Sequence, residues 1–172
     1  LREPPAETAR RWFEIAVAIS EHVAAPGFDL AAPLPLHGWP FTVSSALVAR
    51  SFELWTHAED IGRARREPQF SLPAAAELRT MATASVLGLR HVLRSSSPEV
   101  AMAPCRIVLT GAGGGTFDIG GPGERAALVV LDVIYYCRAA SRRLELADLD
   151  RTVEGDRDLV DALLRAASAF AV

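Results

Sequence analysis

The sequence predicts an α+β fold, a mainly helical first part followed by a smaller mixed α+β part. Three observations carry this. From residue 5 to residue 66 apolar residues recur at helical spacing, broken once by a proline-rich stretch. Three short β-rich runs follow at 105–109, 116–119 and 126–130, with glycine-rich turns between them. Helical patterning then returns to the end of the chain. The junction falls at 68–71, dividing residues 1–68 from residues 69–172.

Composition limits the function. With 172 residues, half of them apolar, the chain can bury a core and fold. A net charge of -3 argues against a protein that tracks nucleic-acid phosphates. All 18 basic residues are Arg, which together with the abundance of Ala points to a GC-rich genome, as in actinobacteria. No apolar run approaches the ~20 residues that span a bilayer, and the opening Leu1-Arg2-Glu3-Pro4-Pro5 lacks the apolar core of a signal peptide. Cys105 and Cys137 have no Cys-x-x-Cys spacing, so two reduced thiols in a cytoplasm are expected rather than a disulfide framework.

In chain order, Pro5 suits a first helical turn, with Glu7 near the positive end of the helix dipole. Trp12, Ile15, Ala16, Ile19 and Val23 form one apolar stripe, and Pro26-Gly27 ends the helix. His22, in the last turn, suits a capping role. Pro33, Pro35, Gly38 and Pro40 predict an irregular connection over 28–41.

The next helix covers 44–66, with Leu47, Val48, Phe52, Trp55, Ala58 and Ile61 at helical period. Thr42 or Ser44 can cap it, and Arg63, Arg65 and Arg66 close it as a solvated terminus. Pro73 then opens a helix over 71–94 with Met81, Val86, Leu87 and Leu89 as its apolar contacts and His91 as a cap. Ser95-Ser96-Ser97-Pro98 is expected to be a flexible break.

Gly111-Ala112-Gly113-Gly114-Gly115 lies between two strands. A phosphate loop would need Gly-Lys-Ser/Thr, and a dinucleotide fingerprint would need a helix to follow. The run is therefore expected to be a hairpin turn that binds no nucleotide. Asp132 can cap a helix running toward Arg142, and Gly155-Asp156 a last helix with Leu159, Leu163, Ala166 and Phe170 on one stripe.

The chemistry concentrates in the second helix. Glu53 and His57 are four residues apart and share a helical face, so a carboxylate and an imidazole can reach one cation. Asp60 follows on the same side, placed to orient the imidazole as an outer partner. The same spacing also fits a plain surface ion pair. His37, in the proline-rich connection, is the best candidate for a third metal ligand within this sequence.

The stretch Phe52-Glu53-Leu54-Trp55-Thr56-His57-Ala58-Glu59-Asp60-Ile61 resembles the signature helix of the mycothiol-dependent maleylpyruvate isomerase family. The glycine hairpin from Ile107 to Phe117, the segment Tyr136-Cys137-Arg138-Ala139-Ala140-Ser141-Arg142-Arg143 and Glu154-Gly155-Asp156 resemble its later motifs in the same order. The resemblance implies that residues 1–68 are a portion of a DinB-like four-helix bundle. It implies a divalent metal, most naturally zinc, on Glu53 and His57, and mycothiol as cosubstrate. It also implies a small electrophilic substrate, with no nucleic acid or membrane as partner.

Arg142 matches an arginine of the closing motif and is a candidate anion clamp; as an ordinary helix-terminal residue it needs no such role. The family's first metal ligand is a His on an early helix, and no position here matches it. Two further helices, or self-association, are then expected to cover the apolar bundle face. Two readings follow: a metal-dependent isomerase or thiol transferase with Glu53 and His57 facing a cleft, or a non-catalytic binding protein with an incomplete site.

Overall fold

A computed structural model describes residues 3–36, 39–66 and 73–168. His37 and Phe170 lie outside the described residues. The fold is α+β, and its contacts divide the chain into a 1–47 unit and a 48–172 unit; the expected 68–71 junction lies outside the described residues.

In the 1–47 unit, helix α1 (Pro5–Ala24) begins on Pro5 with Glu7 in its first turn and buries no residue. Its apolar stripe is open, with Trp12 54% and Ile19 51% exposed. At its end the His22 and Phe28 rings meet edge to face, 5.0 Å between centroids. The connection that follows is not irregular. Strands β1 (Pro33–Leu36) and β2 (Trp39–Thr42) form an antiparallel ribbon pairing Pro33 with Thr42 and Pro35 with Pro40. Val43 N–H donates to the Ala32 carbonyl at 3.0 Å, which fixes the alternation of the ladder. All three prolines then occupy non-hydrogen-bonded pairs, where a missing N–H breaks no bond.

Helix α2 (Val43–Ala64) carries the chain into the 48–172 unit. Thr42 Oγ1 accepts from Ser45 N–H at 3.2 Å and caps it. Helix α3 (Ala75–Ser96) starts with the Glu77 carboxylate accepting from Ala74 N–H at 3.0 Å. The serine stretch is no flexible break. Ser95 and Ser96 finish α3 by donating to the Val92 carbonyl, and Pro98 opens the short helix α4 (Pro98–Met102).

Strands β3 (Cys105–Thr110), β4 (Gly115–Ile119), β5 (Ala127–Asp132) and β6 (Arg151–Gly155) make a sheet of order β4-β3-β5-β6, with β3 and β5 parallel. Helices α5 (Val133–Ala140) and α6 (Arg157–Ala167) start on Asp132 and Asp156, whose carboxylates accept from Ile134 and Leu159 N–H. Strand β6 escapes sequence reading because Arg151-Thr152-Val153-Glu154-Gly155 carries one apolar side chain in five.

Alternation explains how the sheet is covered. Cys105, Ile107 and Leu109 on β3 and Ala127, Val129 and Leu131 on β5 are buried, and their neighbours are half-exposed. The buried row joins Met81, Ala82, Leu89, Tyr136, Val160 and Leu163 from α3, α5 and α6 in one core. Leu87 and Ile61 face out instead of supplying contacts. Tyr136 is fully buried and shares a 3.0 Å hydrogen bond with Ser85, which keeps its polar tip satisfied. No described helix is long and apolar enough to cross a membrane.

Candidate functional site

Helix α2 has two chemically distinct faces. Phe52, Trp55, Thr56, Glu59 and Gly62 recur at helical spacing; Trp55 joins the core and Phe52 packs against it. Their rings stack, 5.8 Å between centroids. Arg50, Glu53, Leu54, His57 and Ile61 form the opposite, exposed face.

The expected pair does share a face, and both side chains are exposed. Glu53 Oε1 lies 3.9 Å from His57 Nε2, with side-chain exposures of 51% and 61%. Arg50 holds the other Glu53 oxygen at 2.6 Å. His57 Nδ1 lies 3.9 Å from Asp60 Oδ2, beyond hydrogen-bond range. Asp60 accepts from Arg143 through both oxygens, Nε to Oδ1 at 3.2 Å and Nη2 to Oδ2 at 2.7 Å. A row of polar side chains thus runs Arg50–Glu53–His57–Asp60–Arg143, with the imidazole between two carboxylates.

Beside this row lies a more buried pair that sequence reasoning missed. Glu59, only 9% exposed, accepts from Arg138 Nε at 3.0 Å and Nη2 at 2.6 Å, and Arg63 Nη2 lies 3.3 Å away. Arg138 also sits 5.9 Å from the Tyr135 ring centre. Two bidentate arginines from the end of α5 therefore clasp α2 by consecutive acids, Glu59 and Asp60.

Local folding explains how both arginines reach α2. Helix α5 ends in a Schellman turn, with Arg143 N–H donating to the Arg138 carbonyl at 2.8 Å and Arg142 N–H to Ala139 at 3.0 Å. That turn needs a left-handed residue at 142, and Arg142 adopts φ 59 where glycine is usual. Arg142 is exposed; its neighbour Arg143 makes the ion pair with Asp60. Arg142→Gly is expected to stabilise the fold by about 0.5–1 kcal/mol, left-handed strain being removed against a smaller gain in unfolded-chain entropy. Urea unfolding measures it, and a loss of stability would contradict the assignment of strain.

Electrostatics follow the pairs. The Arg143 hydrogen bond holds the Asp60 carboxyl below the usual carboxylate range, with smaller help from Arg143, Arg63 and His57 charge and burial opposing. A depressed folded pKa gives stability that is present above the unfolded value of about 3.9 and is lost as pH falls through the folded one. Asp60→Asn should therefore flatten the acid limb of the stability curve below about pH 5 and leave its neutral shape alone. Chemical unfolding between neutral and acid pH reads this; unchanged acid sensitivity would count against the Arg143 pair.

Burial pushes the Cys105 thiol up to about 11 and the Cys137 thiol up to about 12, and both are free and buried. Neither has the character of a reactive thiolate. Among the described residues, no three His, Cys, Asp or Glu side chains gather as a metal-holding group. No family model matches the chain, and no curated protein matches it.

Proposed function

We propose that the protein is a mycothiol-using isomerase or thiol transferase with a divalent metal, most naturally zinc, acting on a small electrophile. The observation that carries the reading is the accessible Glu53–His57 pair, oxygen and nitrogen 3.9 Å apart on a helix anchored through its other face. Two ligands of one tetrahedral zinc, each about 2.0–2.1 Å from the metal, lie roughly 3.4 Å apart. Small side-chain rotations bring the pair to that separation. The donor set fits zinc chemistry but supplies two of the three protein ligands a catalytic zinc takes. Within this sequence His37, outside the described residues, is the candidate for the third.

When bound, the metal would favour the thiolate form of the cosubstrate. The chain's own groups have separate tasks. Glu53, through Oε1, and His57 would hold the cation, while Arg50 keeps the other Glu53 oxygen. Asp60, fixed by Arg143, keeps negative charge beside the Nδ1 edge of the imidazole. Arg142, exposed one residue from that anchor, would bind a substrate carboxylate. The two free buried cysteines accord with a reducing cytoplasm. The open stripe of α1 accords with self-association or further helices covering it.

A second reading, a non-catalytic binding protein with an incomplete site, is favoured by one observation. Arg50 and Arg143 already occupy the Glu53 and Asp60 carboxylates. Turnover separates the two readings. The protein is incubated with Zn²⁺, mycothiol and maleylpyruvate, and loss of substrate is followed by NMR. Thiol-dependent conversion that disappears in His57→Ala supports the enzyme, whereas none in the wild type favours the binding protein.

A further inference from the structure

A second candidate site lies at the edge of the sheet, on residues the metal reading does not use. The connection from β4 to β5, residues 120–126, passes the start of β3 to carry the chain from one side of that strand to the other. It is fixed at both ends. Gly121 N–H donates to the Met102 carbonyl at 2.9 Å, and Ala126 N–H donates to Pro104 at 2.8 Å. Gly120 has φ 91, and any Cβ there would overlap the Ala103 carbonyl oxygen, so the crossing requires glycine. The crossing borders an open cleft of about 290 Å³, with Pro104, Ile119 and the Gly-Pro-Gly loop as its frame and the exposed side chains of Arg106, Asp118 and Arg125 at its rim.

The charges of the cleft are unbalanced. Arg106 and Asp118 satisfy each other through two hydrogen bonds of 2.7 and 3.0 Å. Arg125 makes no ion pair with any described residue. Two cations and one anion therefore face the same small volume. The Arg106 hydrogen bond holds the Asp118 carboxyl below the usual carboxylate range, and the charge of Arg125 adds a smaller effect of the same sign. Cys105, in the wall, remains a neutral thiol at about 11, which makes this a place to bind an anion rather than to attack an electrophile.

Ligand pockets usually occupy about 300–1,000 Å³, so this cleft is at the small end and suits a small anion. A planar guanidinium offers two parallel N–H donors, matched by two oxygens of a carboxylate or a phosphate. We propose that the cleft binds a small oxyanion, with Arg125 as its principal donor and Arg106 as a second one restrained by Asp118.

The test titrates inorganic phosphate and, separately, acetate into the ¹⁵N-labelled full chain at constant ionic strength. Saturable shifts confined to Gly120, Gly121, Gly123 and Arg125 are expected, and the tighter probe identifies which oxyanion is preferred. Arg125→Gln should weaken binding at least about fivefold, the loss of one charge-assisted bidentate contact. Asp118→Asn releases Arg106 and should tighten binding severalfold in an otherwise unchanged spectrum. Linear, unsaturated shifts in the wild type, or saturation unaltered by Arg125→Gln, would overturn the proposal. Neither result depends on whether Glu53 and His57 hold a metal.

Discussion

Arg138→Met is expected to lower the unfolding free energy by about 2–3 kcal/mol, among the largest losses available from one exchange outside the apolar core. The substitution keeps the bulk of the side chain but leaves the Glu59 carboxylate, 9% exposed, with only the longer 3.3 Å contact to Arg63. A carboxylate so weakly paired at that depth must be resolvated or protonated, and either pulls α2 away from α5. Combining Arg138→Met with Glu59→Leu removes both charges and should recover most of the loss. Urea unfolding followed by tryptophan fluorescence measures each step, Trp55 being the buried tryptophan on the same helix. A single-mutant loss below about 0.5 kcal/mol would reduce the clasp to an ordinary surface pair.

The glycine hairpin should show the second large effect. Gly113 has φ 86, and a Cβ there would lie 2.9 Å from the Leu78 Cβ and closer still to the Ala75 carbonyl oxygen. Gly113→Ala therefore combines left-handed strain with an overlap against the first turn of α3, for an expected loss of about 3 kcal/mol or more. Gly27 is the matched control, with φ 83 and no atom within 4 Å of its Cβ position. Gly27→Ala should cost only about 1 kcal/mol. The difference between the two, read from thermal unfolding by circular dichroism, isolates the contact. Equal losses would mean that backbone strain alone explains the glycine.

Much of the architecture was legible because the deciding signals are local. Pro5, Thr42, Asp132 and Asp156 mark helix starts by their own chemistry, and alternation in Cys105–Thr110 marks a strand with one covered face. The proline ribbon was not legible, since Pro33, Pro35 and Pro40 forbid a strand until the register shows their nitrogens outside the ladder. Strand β6 was missed because pairing with β5, rather than its own apolar pattern, makes it a strand.

The candidate site divides in the same way. Spacing alone placed Glu53 and His57 on one face, because helical geometry is local. Which face packs depends on where Trp55 and Phe52 find the core, which no spacing within α2 reveals. The arginine clasp left a faint signal, two consecutive acids in an apolar helix and Arg138 and Arg143 five residues apart. Only the Schellman turn, with Arg142 in a left-handed conformation, shows why both arginines can reach those acids.

Calorimetric titration of Zn²⁺ into the full chain, beside Glu53→Ala, His57→Ala and His37→Ala, tests the central claim most directly. Two protein ligands on one exposed helical face predict one-to-one binding weaker than about 1 μM in Kd, lost in both Glu53→Ala and His57→Ala. Binding that is unchanged in those two variants, or tight one-to-one binding that survives His37→Ala, would contradict the account.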